Sequence, residues 1–215
     1  MTRVLILSLV TLALAGAAQA ASPRFSARVT NPWFPLAPGS RYIYTGIKDG
    51  QPSRELLTVT HRTKTIAGKP CAVVEDRLFV RGKLAERTTD WYTQDAQGNV
   101  WYYGEDTATL DRRGRVTGTS GTWRAGVAGA QPGIYMPAYP RVGLAGRQEY
   151  YKGEAEDHFK VLSLLGTNAV LTQELSPLEP GVIDHKLYVR GIGVVLEQAQ
   201  RGGNERNELV SFSRS

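Results

Sequence analysis

The strongest constraint on the fold is a two-residue alternation of apolar and polar side chains, interrupted at short intervals by glycine and proline. In Leu56–Thr65, Leu57 and Val59 lie on one face, and Arg62 and Lys64 lie on the other. This period indicates half-buried strands, and no segment shows a sustained helical period. Turn formers are plentiful, with 23 glycines and 11 prolines. The pattern predicts an all-β protein with a strongly curved antiparallel sheet, or an open or half barrel, of about ten to twelve strands.

The first twenty residues have the features of a secretory signal peptide. Arg3 supplies a positive charge, Val4 to Ala15 form a short apolar run, and Ala18-Gln19-Ala20 matches a cleavage site. No later segment is apolar for long enough to span a bilayer. We therefore expect an exported protein, periplasmic or secreted, with no transmembrane segment after cleavage and a single all-β domain at residues 21–215.

Cysteine content and charge narrow the chemistry further. The single cysteine, Cys71, excludes a disulfide within the chain, and its apolar neighbours Ala72 to Val74 predict a core position. The formal charge of +6 is dispersed along the chain and accompanies no nucleic-acid-binding motif. We expect no nucleic-acid partner.

Two parts of the chain look alike. Phe34–Gly39 and Met136–Gly143 each contain two prolines and a glycine, and each precedes an aromatic strand. This similarity predicts two related β-meander halves, 34–106 and 136–199, with chance similarity as the alternative. The glycine- and proline-rich stretch 121–146 lacks alternation and predicts a long connection.

The same residues carry a resemblance to a known group of proteins. They are the opening run Pro35-x-x-Pro38-Gly39-x-x-Tyr42-x-Tyr44, the wider run Asp90–Asp106 and the closing run Tyr188–Val195. These runs resemble exported bacterial proteins of unknown function, although Arg190 replaces a usual proline and Ile192 a usual valine. The group implies no catalytic residue. The chain is also similar, more loosely, to periplasmic lipoprotein-carrier half-barrels, which implies a curved sheet with an apolar concave face.

Aromatic residues crowd one predicted hairpin and form the candidate ligand-binding set. The set comprises Trp91, Tyr92, Trp101, Tyr102 and Tyr103, with Glu105 beside them. Exposed rings next to a carboxylate can stack on a sugar or line an apolar cleft. The alternative is that these rings fill the concave face.

Acidic residues and a histidine at the start of another predicted strand are candidate catalytic groups. Glu154, Glu156 and His158 share one strand face, and Asp157 shares the other face with Phe159. Carboxylates beside an imidazole can bind a divalent cation or move a proton, which is the basis of a hydrolase hypothesis. A solvated polar strand face is the alternative, because ligands from one strand do not complete a metal site.

No other pattern indicates catalysis. The chain contains no Gly-x-Ser-x-Gly motif, no phosphate-binding loop and no dinucleotide fingerprint. We therefore predict a non-catalytic protein, without cofactor or metal, that binds an apolar or amphipathic small molecule or an envelope partner in its concave face. A metal-dependent or acid–base hydrolase is one alternative, and a structural envelope component is the other.

Overall fold

The computed structural model describes residues 24–214, which are built from strands and turns without a helix. The strands are β1 (Phe25–Ser26), β2 (Arg41–Lys48), β3 (Gln51–Ile66), β4 (Lys69–Val80), β5 (Lys83–Asp95), β6 (Val100–Leu110), β7 (Val116–Gly118), β8 (Trp123–Arg124), β9 (Gln131–Met136), β10 (Ala145–Arg147), β11 (Glu149–Tyr150), β12 (His158–Leu165), β13 (Ala169–Leu175), β14 (Ile183–Val189), β15 (Gly193–Arg201) and β16 (Arg206–Ser213). The predicted signal peptide lies outside the described residues. Within the described part, no helix is long and apolar enough to cross a membrane.

The strands form one antiparallel sheet that is nearly closed into a barrel, which confirms the predicted fold class. The sheet order is β10-β12-β13-β14-β15-β16-β2-β3-β4-β5-β6-β9-β11, with β1, β7 and β8 attached beside this path. Most neighbours follow one another in the chain, as in a meander. The strand count is larger than the predicted ten to twelve, partly because the stretch 121–146 supplies short strands that its sequence pattern did not reveal.

A single chain segment links the two ends of the sheet. β10 pairs with β12 at one end, and β11 pairs with β9 at the other. Only Gln148 separates β10 from β11 in the chain. We call Ala145–Tyr150 the seam, since it satisfies the backbone groups that would otherwise be free edges.

The seam is held by buried polar contacts and a close backbone approach. Gln148 is buried, and its backbone N–H donates to the carbonyl of Asp157 at 2.7 Å. Gly133 of β9 faces the seam so closely that a Cβ there would lie 2.2 Å from the carbonyl oxygen of Arg147. A side chain at this position is therefore incompatible with the observed packing.

A bulge in β6 sets which residues point into the barrel. Tyr92 pairs with Tyr102, and Asp90 pairs with Glu105, so Trp91 alone opposes two residues of β6. One of these two is Gly104, with a φ of +132°, where a Cβ would lie 2.4 Å from the carbonyl oxygen of Trp123. The extra residue reverses the alternation, so that both Tyr102 and Glu105 face the interior.

The apolar core joins the barrel wall to the segment that precedes β2. Val29, Trp33, Phe34 and Leu36 of this segment are buried in the same cluster as residues from most of the long strands. Cys71 is fully buried, as its apolar neighbours predicted, and burial raises the pKa of its thiol to about 12.

The seam gives a direct test of closure. Replacing Gly133 with alanine should lower the free energy of unfolding by about 1–3 kcal/mol, because the added methyl group must displace the seam backbone. Urea unfolding of the full chain, followed by circular dichroism, measures this change. The matched control is Gly118→Ala in β7, where the nearest atom to a Cβ is 4.0 Å away. Equal unfolding midpoints for the two variants would contradict the close approach at the seam.

Candidate functional site

The interior of the barrel is lined by carboxyl groups from many strands. They are Glu55, Asp76, Glu86, Asp90, Glu105, Glu149, Asp157, Glu174, Asp184 and Glu197. Lys186 lies among them, and Lys48 and Arg206 lie at one mouth of the barrel. The interior is thus acidic, although the whole chain is basic.

One end of the interior is filled by aromatic rings. Tyr92 and Tyr102 stack with centroids 4.7 Å apart, and Tyr135 packs edge-on against both. Phe34 closes this group, 4.6 Å from Tyr135. These contacts form a plug of packed rings, which we call the aromatic plug.

The structure divides the predicted ligand-binding set between the two faces of the sheet. Tyr92 and Tyr102 belong to the aromatic plug, and Glu105 faces the interior beside it. Trp91 and Tyr103 are also buried, but on the outer face, where the ammonium of Lys64 lies 4.0 Å from the centroid of Trp91. Trp101 donates from its indole nitrogen to Asp95 at 2.8 Å. The six residues therefore do not line one open cleft.

Two buried carboxyls lie beside the plug. The hydroxyl of Tyr102 donates to Asp90 at 2.6 Å, and the hydroxyl of Thr107 donates to Glu105 at 2.8 Å. Burial raises the pKa of Asp90 to about 7, against the lowering effect of the Tyr102 hydrogen bond. Burial, together with the charge of Asp90, raises the pKa of Glu105 to about 8. Such groups retain protons near neutral pH because the low-polarity interior disfavours two adjacent charges.

A second pair of carboxyls lies next to the seam. Glu149 accepts a hydrogen bond from the indole of Trp123 at 2.6 Å, and its carboxyl is hydrogen-bonded to Asp157. Burial, followed by the charge of Asp157, raises the pKa of Glu149 to about 9. The pair therefore shares a proton over much of the ordinary pH range.

Lys186 neutralises part of the middle of the interior. Its ammonium lies 2.7 Å from Glu174 and 3.3 Å from Glu197. Glu174 also accepts from the hydroxyl of Tyr188 at 3.2 Å. Lys186 of β14 is thus paired with acids on both adjacent strands, β13 and β15.

At the end opposite the aromatic plug, the interior opens into a cavity of about 180 Å³, which we call the mouth cavity. One wall consists of β3, β4 and β5, and the other consists of β14, β15 and β16. Its carboxyls are Glu55, Asp76, Glu86, Asp184, Glu197 and Glu205. Lys48 pairs with Glu205 at 2.7 Å, and Arg206 pairs with Glu208 at 2.7 Å, so both cations at the mouth are already bound.

Polar atoms without hydrogen-bond partners concentrate in the mouth cavity. Across residues 24–214, buried side-chain atoms of this kind occur at Ser40, Ser53, Asp76, Trp91 and Asn207. Ser53 Oγ, Asp76 Oδ1 and Asn207 Oδ1 all belong to residues that line the cavity. The Asp76 carboxyl is, however, hydrogen-bonded to Glu55, so Ser53 and Asn207 are the two residues with a clearly unpartnered atom. Ser53 is only 8% exposed. A buried polar group without a partner costs about 1–3 kcal/mol, so two such atoms at one acidic cavity indicate a candidate binding site.

The four residues of the predicted catalytic cluster do not share one strand face, because most of them lie before β12. β12 begins at His158, so Glu154 and Glu156 precede the strand; Glu154 is exposed, and Glu156 accepts from the backbone of Gly153. Asp157 points to the interior with Phe159, as the alternation predicted. His158 contacts the carbonyl of Glu156 through Nδ1 at 2.9 Å. In the described part of the chain, no three His, Cys, Asp or Glu residues are arranged to hold a metal ion.

The sequence did contain a signal for the acidic interior. Glu55 has the same alternation as Leu57 and Val59, and Asp76 has the same alternation as Val74 and Leu78. A carboxylate on the apolar face of each of two paired strands indicates a polar interior site. Motif spacing did not reveal this signal, because the carboxyls lie on different strands or, for Glu86 and Asp90 of β5, match no known catalytic or metal-binding spacing.

No family model matches the chain, and no curated protein or solved structure matches it either. The function must therefore be inferred from the geometry of the interior.

The buried pair at the seam makes stability depend on pH. Because the pKa of Glu149 is raised from 4.5 to about 9 on folding, the folded state keeps a proton that the unfolded state loses. Stability should therefore fall as pH rises through this window. Glu149→Gln mimics the protonated acid and cannot lose this proton. Between pH 5 and pH 9, its free energy of unfolding should therefore fall less than that of the unmodified chain, by on the order of 2 kcal/mol.

Chemical denaturation at the two pH values measures the effect. Glu154→Gln is the matched control, since it removes one carboxylate from the exposed turn near the same strand. If Glu149→Gln and Glu154→Gln both show the same pH dependence of unfolding as the unmodified chain, then Glu149 and Asp157 do not share a proton in the folded state.

Proposed function

We propose that this chain is an exported, non-catalytic binding protein that holds a small polar ligand in the mouth cavity of its barrel. The observation that carries this proposal is the convergence on one cavity of two buried, unpartnered atoms, Ser53 Oγ and Asn207 Oδ1, beside the buried Asp76 carboxyl that is hydrogen-bonded to Glu55. A ligand that hydrogen-bonds to these atoms would recover the free energy that folding leaves unmatched. Export is part of the proposal through the signal peptide expected at residues 1–20.

The proposal keeps the expected binding role but changes the place and chemistry of the site. Inside the barrel, an apolar ligand would need space among the aromatic residues, where Tyr92, Tyr102 and Tyr135 pack against one another. The mouth cavity is instead surrounded by carboxyls and by polar side chains. Polar recognition is therefore favoured over the apolar or amphipathic ligand expected from the sequence.

Size limits the ligand. The cavity measures about 180 Å³. An engineered protein cavity of about 150 Å³ accepts a molecule the size of benzene, so the mouth cavity suits a compound of about six to eight non-hydrogen atoms. An intact lipid or a peptide would not enter it.

Two features of the backbone shape the cavity. Gly46 of β2 lies against β16, and a Cβ at this position would lie 1.7 Å from the carbonyl oxygen of Arg206 and 2.9 Å from Asn207 Oδ1. The glycine lets β16 approach closely. Asn207 is then oriented by Glu55, which accepts a hydrogen bond from its Nδ2 and leaves Oδ1 directed away from that contact.

A cavity-filling substitution tests the proposal. Ala199 lines the mouth cavity, so leucine at this position should occupy the ligand's space without introducing charge. Native mass spectrometry of the full chain, purified from its own envelope without denaturation, should show a bound small molecule. The Ala199→Leu protein should lack it.

The matched control is Ala96→Leu, which makes the same change at an exposed turn. This variant should retain the bound mass. A protein that carries no small molecule, or an Ala199→Leu protein that retains one equally well, would contradict the proposal.

A further inference from the structure

The charges around the mouth cavity specify the ligand more closely. Its two walls carry carboxyls from different parts of the sheet, Glu55, Asp76 and Glu86 on one side and Asp184 and Glu197 on the other. Glu197 already pairs with Lys186, and Glu205 pairs with Lys48. Among the described residues, no lysine or arginine forms an ion pair with the remaining four acids, which are Glu55, Asp76, Glu86 and Asp184. The cavity therefore has acidic groups on both walls and no free cation of its own.

The unpartnered atoms have the same preference. Asn207 Oδ1 is an acceptor, Ser53 Oγ can accept as well, and the Asp76 carboxyl is acceptor-only once it is ionised. The identity of Asn207 Oδ1 follows from its Nδ2, which must be the atom that donates to the Glu55 carboxylate. A complementary ligand must consequently supply several donors.

Resting on the proposed function, we infer that the mouth cavity binds a small organic cation with N–H donors at both ends, of the class of short aliphatic diamines. One ammonium group reaches the wall of Glu55, Asp76 and Glu86, and the other reaches the wall of Asp184. Hydrogen bonds between ammonium and carboxylate are about twice as strong as neutral ones, and burial strengthens them further. A bare metal ion is a poorer fit, because the described residues contain no metal-binding arrangement of three acidic, histidine or cysteine side chains.

Proton release should accompany binding. Burial raises the pKa of Asp76 well above its usual range, and the adjacent Glu55 carboxylate adds to this rise. Burial also raises the pKa of Glu86 and of Asp184, although Lys48 and Lys186, respectively, oppose the shift. An ammonium group favours the ionised carboxylates, so the complex binds fewer protons than the free protein. Affinity should therefore increase with pH from 5 to 8, where a diamine stays fully charged.

Charged groups from several strands surround Asp76 and its cavity. Glu55 of β3 and Glu86 and Asp90 of β5 act on Asp76 directly. The other charged residues that line the cavity are Lys48 of β2, Asp184 of β14, Glu197 of β15, Arg206 of β16 and Glu205, which precedes β16. The two cations in this set are paired with Glu205 and Glu208, and cannot replace the ligand's charge without breaking those pairs.

Isothermal titration calorimetry of the full chain tests the inference with three probes of equal length. The probes are 1,4-diaminobutane, its neutral counterpart 1,4-butanediol and its anionic counterpart succinate. We expect heat only from the diamine. Repeating the titration in buffers of different ionisation enthalpy should reveal released protons, and the diamine affinity should be greater at pH 8 than at pH 5.

Substitutions at the cavity provide matched comparisons. Asp76→Asn keeps the side-chain size and should weaken diamine binding by about tenfold or more, because one carboxylate partner is lost. Glu75→Gln is the control, since the neighbouring residue lies on the other face of β4 and pairs with Arg62. Glu86→Gln should weaken binding similarly and keeps the test valid if Asp76→Asn does not fold, which circular dichroism would reveal.

The outcomes separate the inference from the proposed function. Equal binding of butanediol or succinate, abolished by Ala199→Leu, would overturn the cation but leave a polar binding site. Diamine binding that Asp76→Asn and Glu86→Gln leave unchanged would place the cation elsewhere and overturn the inference. If none of the three probes binds at millimolar concentration, the inference fails, and the native mass spectrum then decides whether a ligand site exists at all.

Discussion

Closure of the sheet by the seam is the constraint on which the other features depend. Ala145–Tyr150 pairs with β12 on one side and with β9 on the other, so one short segment replaces two free edges. Once the sheet is closed, side chains of distant strands meet across its interior. Glu149 of the seam reaches Asp157, and Glu55 of β3 shares a cavity with Asp184 of β14. The acidic interior is thus a consequence of closure.

The carboxyls of the interior have different partners at different positions along the barrel. Near the aromatic plug, Asp90 and Glu105 are satisfied by hydroxyl groups, and their raised pKa values reflect burial. In the middle, Lys186 supplies a counter-charge. At the mouth, no hydroxyl or ion pair accompanies Glu86 and Asp184 among the described residues, and Ser53 and Asn207 retain unpartnered atoms. Buried groups left in this state reduce folding stability, which is a recurrent cost of binding sites.

Much of the architecture could be predicted because strand alternation is a local property. The period-two pattern identified the fold class and the face that Asp157 shares with Phe159, and the apolar neighbours of Cys71 identified its burial. Within the aromatic hairpin, alternation could not assign faces, since the bulge at Tyr103–Gly104 places both Tyr102 and Glu105 inside. Sequence spacing gave the expected catalytic cluster a shared strand face, but the strand starts only at His158, and Glu154 and Glu156 lie in the preceding turn. The acidic lining had a visible trace in the alternation of Glu55 and Asp76 with apolar residues.

The sequence by itself determined that this chain would form antiparallel strands separated by glycine and proline turns, because side-chain alternation and turn geometry act over a few residues. It also determined which positions carry carboxyls on otherwise apolar faces. Only the tertiary structure decided which carboxyls meet, since their strands are far apart in the chain and come together through closure. The aromatic plug, the proton-sharing pair of Glu149 and Asp157, and the mouth cavity all arise from these long-range contacts, and their electrostatic properties depend on the burial that closure creates.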